Sequence, residues 1–331
     1  MRVRVCIPIE FQPQGGGFYF LDAFTDYLRG IGWDVSQGLE NDYEVLFTNH
    51  WMTPYADILR AIRHNPKVRI VQRIDGAAQN YGRDAEADRR QARVNRIADL
   101  TIFQSKYARY STRERFPIIK QDGPIIYNPV DLATFNPDGE RRQFPRNVQV
   151  ACVTWSKNPY KGIAQIYRVA KDHPKIDFVL CGRFEDAPEI PNVHKLGQLS
   201  RPELATALRS CQLLLTFSRN EACPNHVLEA LACGLPVLYE DSGAMREVVG
   251  DCGSPVTGED FAEQLGRVLS DLERLSKAAR QRALEHFNPQ ENFNQYVQAI
   301  QVGLARPSRV PTGLRNTMAW TYPMLQRLGL A

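Results

Sequence analysis

The chain has 331 residues, 43% of them hydrophobic, and 41 Lys and Arg against 37 Asp and Glu give a formal net charge of +4. That length fills one large or two medium domains with ordinary buried cores, and so modest a charge does not mark a nucleic-acid binder, although it admits anionic substrates or a membrane surface. No apolar stretch approaches the roughly 20 residues that span a bilayer, and seven cysteines without a CxxC pair read as small core residues, not as a disulfide framework or a structural zinc site.

In chain order, short β-branched runs alternate with helical patterns, the mark of parallel sheets covered by helices. MRVRVCIPIE reads as a first strand and not as a signal peptide, which together with the lack of an apolar span predicts a cytoplasmic protein. QPQGGGFYF follows, where glycines let a backbone approach a ligand closely before a helix begins. The run is not G-x-G-x-x-G, which argues against an NAD-dependent dehydrogenase. YEVLFTN, VRIVQRI, LTIFQS and PIIYNP are further strands.

His50, in TNHW, and Asp75, in RIDG, each follow a strand and are candidates to orient an acceptor hydroxyl. Asp84 and Asp88, one helical turn apart in DAEAD, read as water-facing. That run lacks the D-x-D arrangement that holds a metal on a nucleotide, so no catalytic metal is expected. Lys106, Arg109, Tyr110 and Arg113 share a helical face that suits anionic lipid or a glycan, with a solvated helix as the plainer reading.

The stretch YNPVDLATFNPDGERRQFPRN is rich in Pro, Asn and charge and reads as an interdomain linker, after which strands resume with VQVACVTW, DFVLCG, LLLTFS and PVLYE. The expected architecture is α/β: two doubly wound parallel-sheet domains, residues 1–138 and 139–310, with a ligand cleft between them. A terminal helix over 311–331 carries aromatic anchors and packs back on the first domain.

The most informative segment is EACPNHVLEALACGLP. Pro224 suits the first position of a helix, which leaves Glu221 before the helix and Glu229 inside it. Val227, Leu228 and Leu231 form an apolar stripe, Asn225, Glu229 and Cys233 fall on another face, and Gly234 and Pro236 end the helix. Such a helix start favours an anion such as a phosphate. The two carboxylates could grip hydroxyls on either side of a diphosphate, or simply face solvent.

The order YNPVD, WSKNPYKG, LCGR, the glutamate pair, ALACGLPV and SGAMREVV resembles the family 4 retaining glycosyltransferases, strongly over residues 125 to 255 and more weakly elsewhere. The resemblance implies the GT-B fold of two facing Rossmann-like domains, an acceptor-side N-terminal one and a nucleotide-sugar-binding C-terminal one. By it, Glu229 holds the donor ribose and Glu221 approaches the donor sugar. Backbone N–H groups near Asn225 and His226 contact sugar or phosphate, and Gly16 or Gly17 touches the donor phosphate or reacting sugar. The family places an arginine and, five residues on, a lysine before glycine against the departing phosphate. Lys161 and Gly162 match the second step, but Ser156 stands at the arginine position, leaving Lys157 or Arg183 to supply the first cation.

The implied activity is retaining transfer of a hexose from a nucleotide-diphosphate sugar to a glycan, lipid-linked or small-molecule acceptor. The residue readings above add the expectation of no metal, no cofactor beyond the donor and no nucleic-acid partner, with weak peripheral contact at the inner membrane surface. A GT-B-fold sugar-nucleotide epimerase is the alternative enzyme, and Ser156 leaves open a nucleotide-sugar-binding protein without turnover.

Overall fold

The computed structural model describes residues 3–9, 16–115, 122–184, 189–308 and 310–327. Two all-parallel sheets form. The first uses β1 (Arg4–Cys6), β2 (Asp34–Ser36), β3 (Val45–Asn49), β4 (Arg69–Ile74) and β5 (Leu100–Phe103) in the order β2-β1-β3-β4-β5. The second uses β6 (Gln149–Thr154), β7 (Asp177–Gly182), β8 (Val193–Gly197), β9 (Leu213–Thr216), β10 (Val237–Tyr239) and β11 (Gly253–Pro255) in the order β11-β10-β9-β6-β7-β8. The interior strands β3, β6, β7 and β9 are buried along their whole length, as strands covered by helices on both faces must be.

Three strands absent from the sequence reading, β2, β8 and β11, are three of the four sheet edges and are largely half-exposed or exposed, so they carry no apolar run. PIIYNP forms only a single bridge, Phe103 to Ile125, in place of a full strand.

The chain divides into two compact units, Met1–Ile126 with Phe293–Ala331, and Tyr127–Asn292. In the first, helix α1 (Gly16–Gly30) lays Phe20 and Phe24 against Phe47 of β3 and Tyr296, with ring centroids 5.2 to 6.4 Å apart. The other face of the sheet is covered by α2 (Tyr55–His64) and α3 (Ala85–Ile97); α4 (Lys106–Arg115) follows β5. In the second unit α5 (Ile163–Asp172), α6 (Arg201–Arg209), α7 (Asn225–Ala232), α8 (Met245–Val249), α9 (Phe261–Ser270) and α10 (Leu272–His286) flank the sheet. Helix α11 (Pro289–Ala305) carries the chain back to the first unit, and α12 (Thr312–Arg327) packs on α2.

The boundary read at residue 138 lies inside the second unit. Residues 127–147, read as a linker, are fastened there: Val130 N–H donates to Phe287 O at 2.9 Å, Asn128 Nδ2 to Cys223 O at 3.2 Å, and Arg146 pairs with Asp177 at 2.7 Å. Their Pro, Asn and charge content serves turns and straps instead of a free connection. The return to the first unit begins at Phe293 within α11, where Phe293, Tyr296, Val297 and Ile300 enter the core under α1. All seven cysteines are buried free thiols.

Candidate active site

In the second sheet the strand order reverses between β6 and β9, and ligands of open α/β sheets bind beyond the carboxyl ends of strands at such a switch point. Leaving β6, the Thr154 hydroxyl donates to Ser156 O at 3.1 Å, and Ser156 Oγ accepts from Asn158 N–H at 3.2 Å. Asn158 Oδ1 then accepts from Tyr160 N–H at 2.9 Å and starts the tight turn Pro159–Lys161, which ends at Gly162 with φ 65°. A Cβ on Gly162 would sit 2.3 Å from Phe217 Cβ, so only glycine lets this loop lie on the exit of β9. The turn delivers the Lys161 ammonium to Glu221 as an ion pair, with side chains only 11% and 14% exposed.

Glu221 is held from the other side by the loop after β10. Asn220 takes φ 58° and donates its N–H to Ser242 Oγ at 3.0 Å, while Ala244 N–H donates to Glu221 O at 2.8 Å. A Cβ on Gly243 would come within 2.6 Å of Glu221 N and O. The SGA of SGAMREVV therefore fixes the backbone of the first glutamate.

Helix α7 starts with Pro224 as its N-cap, one position earlier than the first-turn placement expected from the sequence. Val227, Leu228 and Leu231 are fully buried, as the apolar stripe requires. Asn225 Oδ1 accepts from Asn128 Nδ2 at 2.8 Å, which ties the helix start to the strap after Ile126. His226 is buried with Nε2 3.2 Å from Thr216 Oγ1; burial, reinforced by the Lys161 charge, lowers its pKa to about 4, so it is neutral at pH 7. Burial also raises the Glu229 carboxyl to about 7, against the opposing pull of Arg201. Its Oε2 is closed to solvent and has no hydrogen-bond partner among the described residues.

Of the two substitutes for the first family cation, Lys157 is exposed on the loop after β6. Arg183 is half-buried directly after β7, and its N–H donates to Thr154 O at 2.8 Å.

In the first sheet the order reverses between β1 and β3. The glycine run there lies partly outside the described residues, which resume at Gly16 as α1 begins. A Cβ on Gly17 would lie 3.1 Å from His50 Nε2 and 3.2 Å from Asn49 Nδ2, so the helix start abuts the exit of β3. His50 has φ 38° and sits with Nε2 3.8 Å from Asp75 Oδ2, beyond β4. Gly17, His50 and Asp75 thus come together, with the exposed Gly16 beside them. Burial lowers the His50 pKa to about 4, against Asp75, which raises it.

Two supporting residues escaped the sequence reading. Arg73 sits inside an apolar run yet is fully buried, its guanidinium 3.7 Å over the Phe20 ring and bonded to Asn49 Oδ1 at 2.6 Å and Tyr296 Oη at 3.0 Å. A lone arginine near the carboxyl end of a buried strand was its only signal. Asp88, expected to face water, is instead buried and accepts from the N–H groups of Ala78 at 2.6 Å and Gln79 at 3.1 Å, fastening the loop after Asp75. Asp84 caps α3 by accepting from Glu86 N–H at 2.8 Å.

On α4, Arg109 bonds Gly123 O and stacks 5.2 Å from Phe103, so it belongs to the packing and not to an open cationic face; Lys106, Tyr110 and Arg113 are exposed.

The two all-parallel α/β units are those of the GT-B fold. Residues 151–271 match the family model described as Glycosyl transferases group 1, a span that includes Lys161, Glu221 and Glu229. Over 123 residues the chain is 36% identical to the MMP alpha-(1->4)-mannosyltransferase of Mycolicibacterium hassiacum, covering 34% of this chain and 30% of that one. The chain therefore matches less than a third of that relative's length.

Solved structures that share the fold include the following two. Sucrose-phosphate synthase from Thermosynechococcus elongatus superposes with a TM-score of 0.77 at 16% identity, covering 92% of this chain and 100% of that one. Anabaena HepE in complex with UDP-glucose gives 0.70 at 14% identity, covering 91% and 100%.

Proposed function

We propose that the chain is a retaining glycosyltransferase that moves a hexose from a nucleotide-diphosphate sugar to an acceptor hydroxyl without a metal ion. The observation that carries this reading is the Lys161–Glu221 ion pair at the β6/β9 switch point, on the same site as the unpartnered Oε2 of Glu229. A buried acceptor oxygen without a partner is costly, and ribose hydroxyls supply the donors it needs.

In this reading the bond from the anomeric carbon to the phosphate oxygen breaks, and negative charge grows on the departing diphosphate. Lys161, the first-turn N–H groups of α7 at Asn225 and His226, and Arg183 or Lys157 stabilise it, which is the work a metal does elsewhere. The acceptor oxygen bonds the same face of the sugar, and its proton passes to the leaving phosphate. Glu221 orients the donor sugar, and Gly16 and Gly17 leave room for the phosphate or sugar. His50, neutral at pH 7, and Asp75 orient the acceptor hydroxyl. A cytoplasmic protein acting on a glycan, a lipid-linked sugar or a small molecule fits this reading, and the matched mannosyltransferase and the UDP-glucose complex of the fold neighbour support the donor class.

Thermal-shift screening against UDP-, GDP-, ADP- and CMP-sugars tests it. At about 100 times its Kd, a donor stabilises the folded state by about 2.7 kcal/mol, a rise of several degrees. Anomeric analysis of the product should then show retained configuration. No shift with any donor removes the reading, and isomerisation of donor alone assigns an epimerase.

A further inference from the structure

We propose that α12 and the basic side chains around it form a docking surface for an anionic lipid bilayer. The helix divides cleanly. Arg315 and Ala319 point inward, with Arg315 donating to Val68 O at 3.0 Å and Ile97 O at 2.9 Å and pairing with Asp99 at 2.7 Å. At 100° per residue, Leu314, Thr317, Trp320, Thr321 and Met324 fill one arc of roughly 120° on the opposite side. That arc is uncharged, and its large members are open to solvent: Trp320 is 70% exposed, Met324 65% and Leu314 53%. At 16 residues the helix is suited to lie in an interface and not to cross one.

Charge selects the occupant. From Asn292 to Ala331 the sequence holds no Asp or Glu and four arginines, of which Arg315 is turned inward and paired with Asp99. The elements against α12 add further cations. Arg63 donates to Ala319 O at 2.8 Å and sits 5.9 Å from the Trp320 ring, while exposed Lys67 and Arg96 stand next to the two carbonyls that Arg315 grips. Arg69 bonds Arg306 O at 2.8 Å, which places exposed Arg306 at the same end. A tryptophan and aliphatic side chains with Arg63 beside them, and with further exposed Lys and Arg on the adjoining elements, match the headgroup layer of an anionic membrane. Two copies of this face would set like charges against each other, which disfavours a homodimer here. The surface is independent of the donor site, so its failure leaves the transferase reading untouched.

The test is co-sedimentation with phosphatidylglycerol–phosphatidylcholine vesicles and with phosphatidylcholine alone. The protein should partition onto the anionic vesicles and come off as salt is raised. Trp320→Ser with Met324→Ser should lower partition roughly tenfold, and Lys67→Glu with Arg306→Glu by at least as much. Tyr110→Ala with Arg113→Gln on α4 should leave it unchanged. Each variant must keep the wild-type melting temperature and donor-induced thermal shift. Absence of binding to anionic vesicles, binding insensitive to the α12 changes, or loss only in the α4 variant overturns the proposal. So does a dimer in solution that the Trp320 and Met324 changes dissociate.

Discussion

Glu229→Gln gives a stability signature that follows from the burial of one carboxyl. In the folded protein burial lifts this group from its ordinary 4.5 to about 7. As pH rises, the unfolded chain releases this proton first, so between those two values the unfolded state binds fewer protons and stability falls. The difference of about 2.5 pH units, at about 1.4 kcal/mol each, amounts to about 3 kcal/mol lost by about pH 8. The glutamine variant cannot ionise and lacks this loss. Urea unfolding of both proteins at about pH 5, 6, 7 and 8 should show their stability difference moving by about 2.5 kcal/mol in favour of glutamine across the series, the remainder being lost below about pH 5. Saturating nucleoside diphosphate should shrink the effect, because ribose hydroxyls donating to the carboxylate favour its charged form. Parallel wild-type and variant curves would refute the reasoning, since they would mean that the carboxyl is ionised at no cost in the folded state.

Lys161→Ala should lower kcat by roughly 10²-fold or more, since the charge it meets grows as the phosphate departs. Unchanged kcat in a folded variant removes Lys161 from the chemistry. Gly162→Ala should destabilise by about 2 kcal/mol or more, from its φ of 65° and the overlap with Phe217, and urea titration reads this directly. A loss under about 0.5 kcal/mol would mean that the loop is not clamped on the exit of β9. Asp88→Ala should cost about 2 kcal/mol by leaving the Ala78 and Gln79 N–H groups without their acceptor. Melting-point loss together with weakened acceptor KM is expected, and a wild-type melting temperature contradicts the role of Asp88 as a loop fastener.

Much of this architecture is legible in the sequence because interior parallel strands are buried on both faces and carry short apolar runs, as β3, β6, β7 and β9 do. The edge strands β2, β8 and β11 do not, because one side of each meets solvent and pairing alone defines them. The helix that carries the glutamate pair is readable from its proline and terminal glycine, whereas the roles given to the pair and to Lys161 come only from the resemblance to the family 4 glycosyltransferases. What spacing cannot give is long-range pairing. The contact of Lys161 with Glu221, the clamp of Gly243 on Glu221 and the tie from Asn128 to Asn225 each join segments 20 or more residues apart. Asp88 was misread for the same reason: its sequence neighbours are charged and polar, whereas its burial depends on the loop 76–79 folding over it. The linker was misread because Pro, Asn and charge mark turns, and turns that are strapped down look the same in sequence as turns that are free.

The central claim is that two glutamates divide one donor, Glu229 reading the ribose and Glu221 the sugar. Calorimetric titration of the free nucleoside diphosphate into wild type, Glu229→Ala and Glu221→Ala, with transfer kinetics on the same preparations, tests it most directly. The ribose contact is the same before and during reaction, so Glu229→Ala should weaken nucleotide binding and raise donor KM. The sugar gains positive charge as its bond breaks, so Glu221→Ala should lower kcat and leave nucleotide affinity near wild type. Wild-type nucleotide affinity in Glu229→Ala, or its loss in Glu221→Ala, contradicts the account.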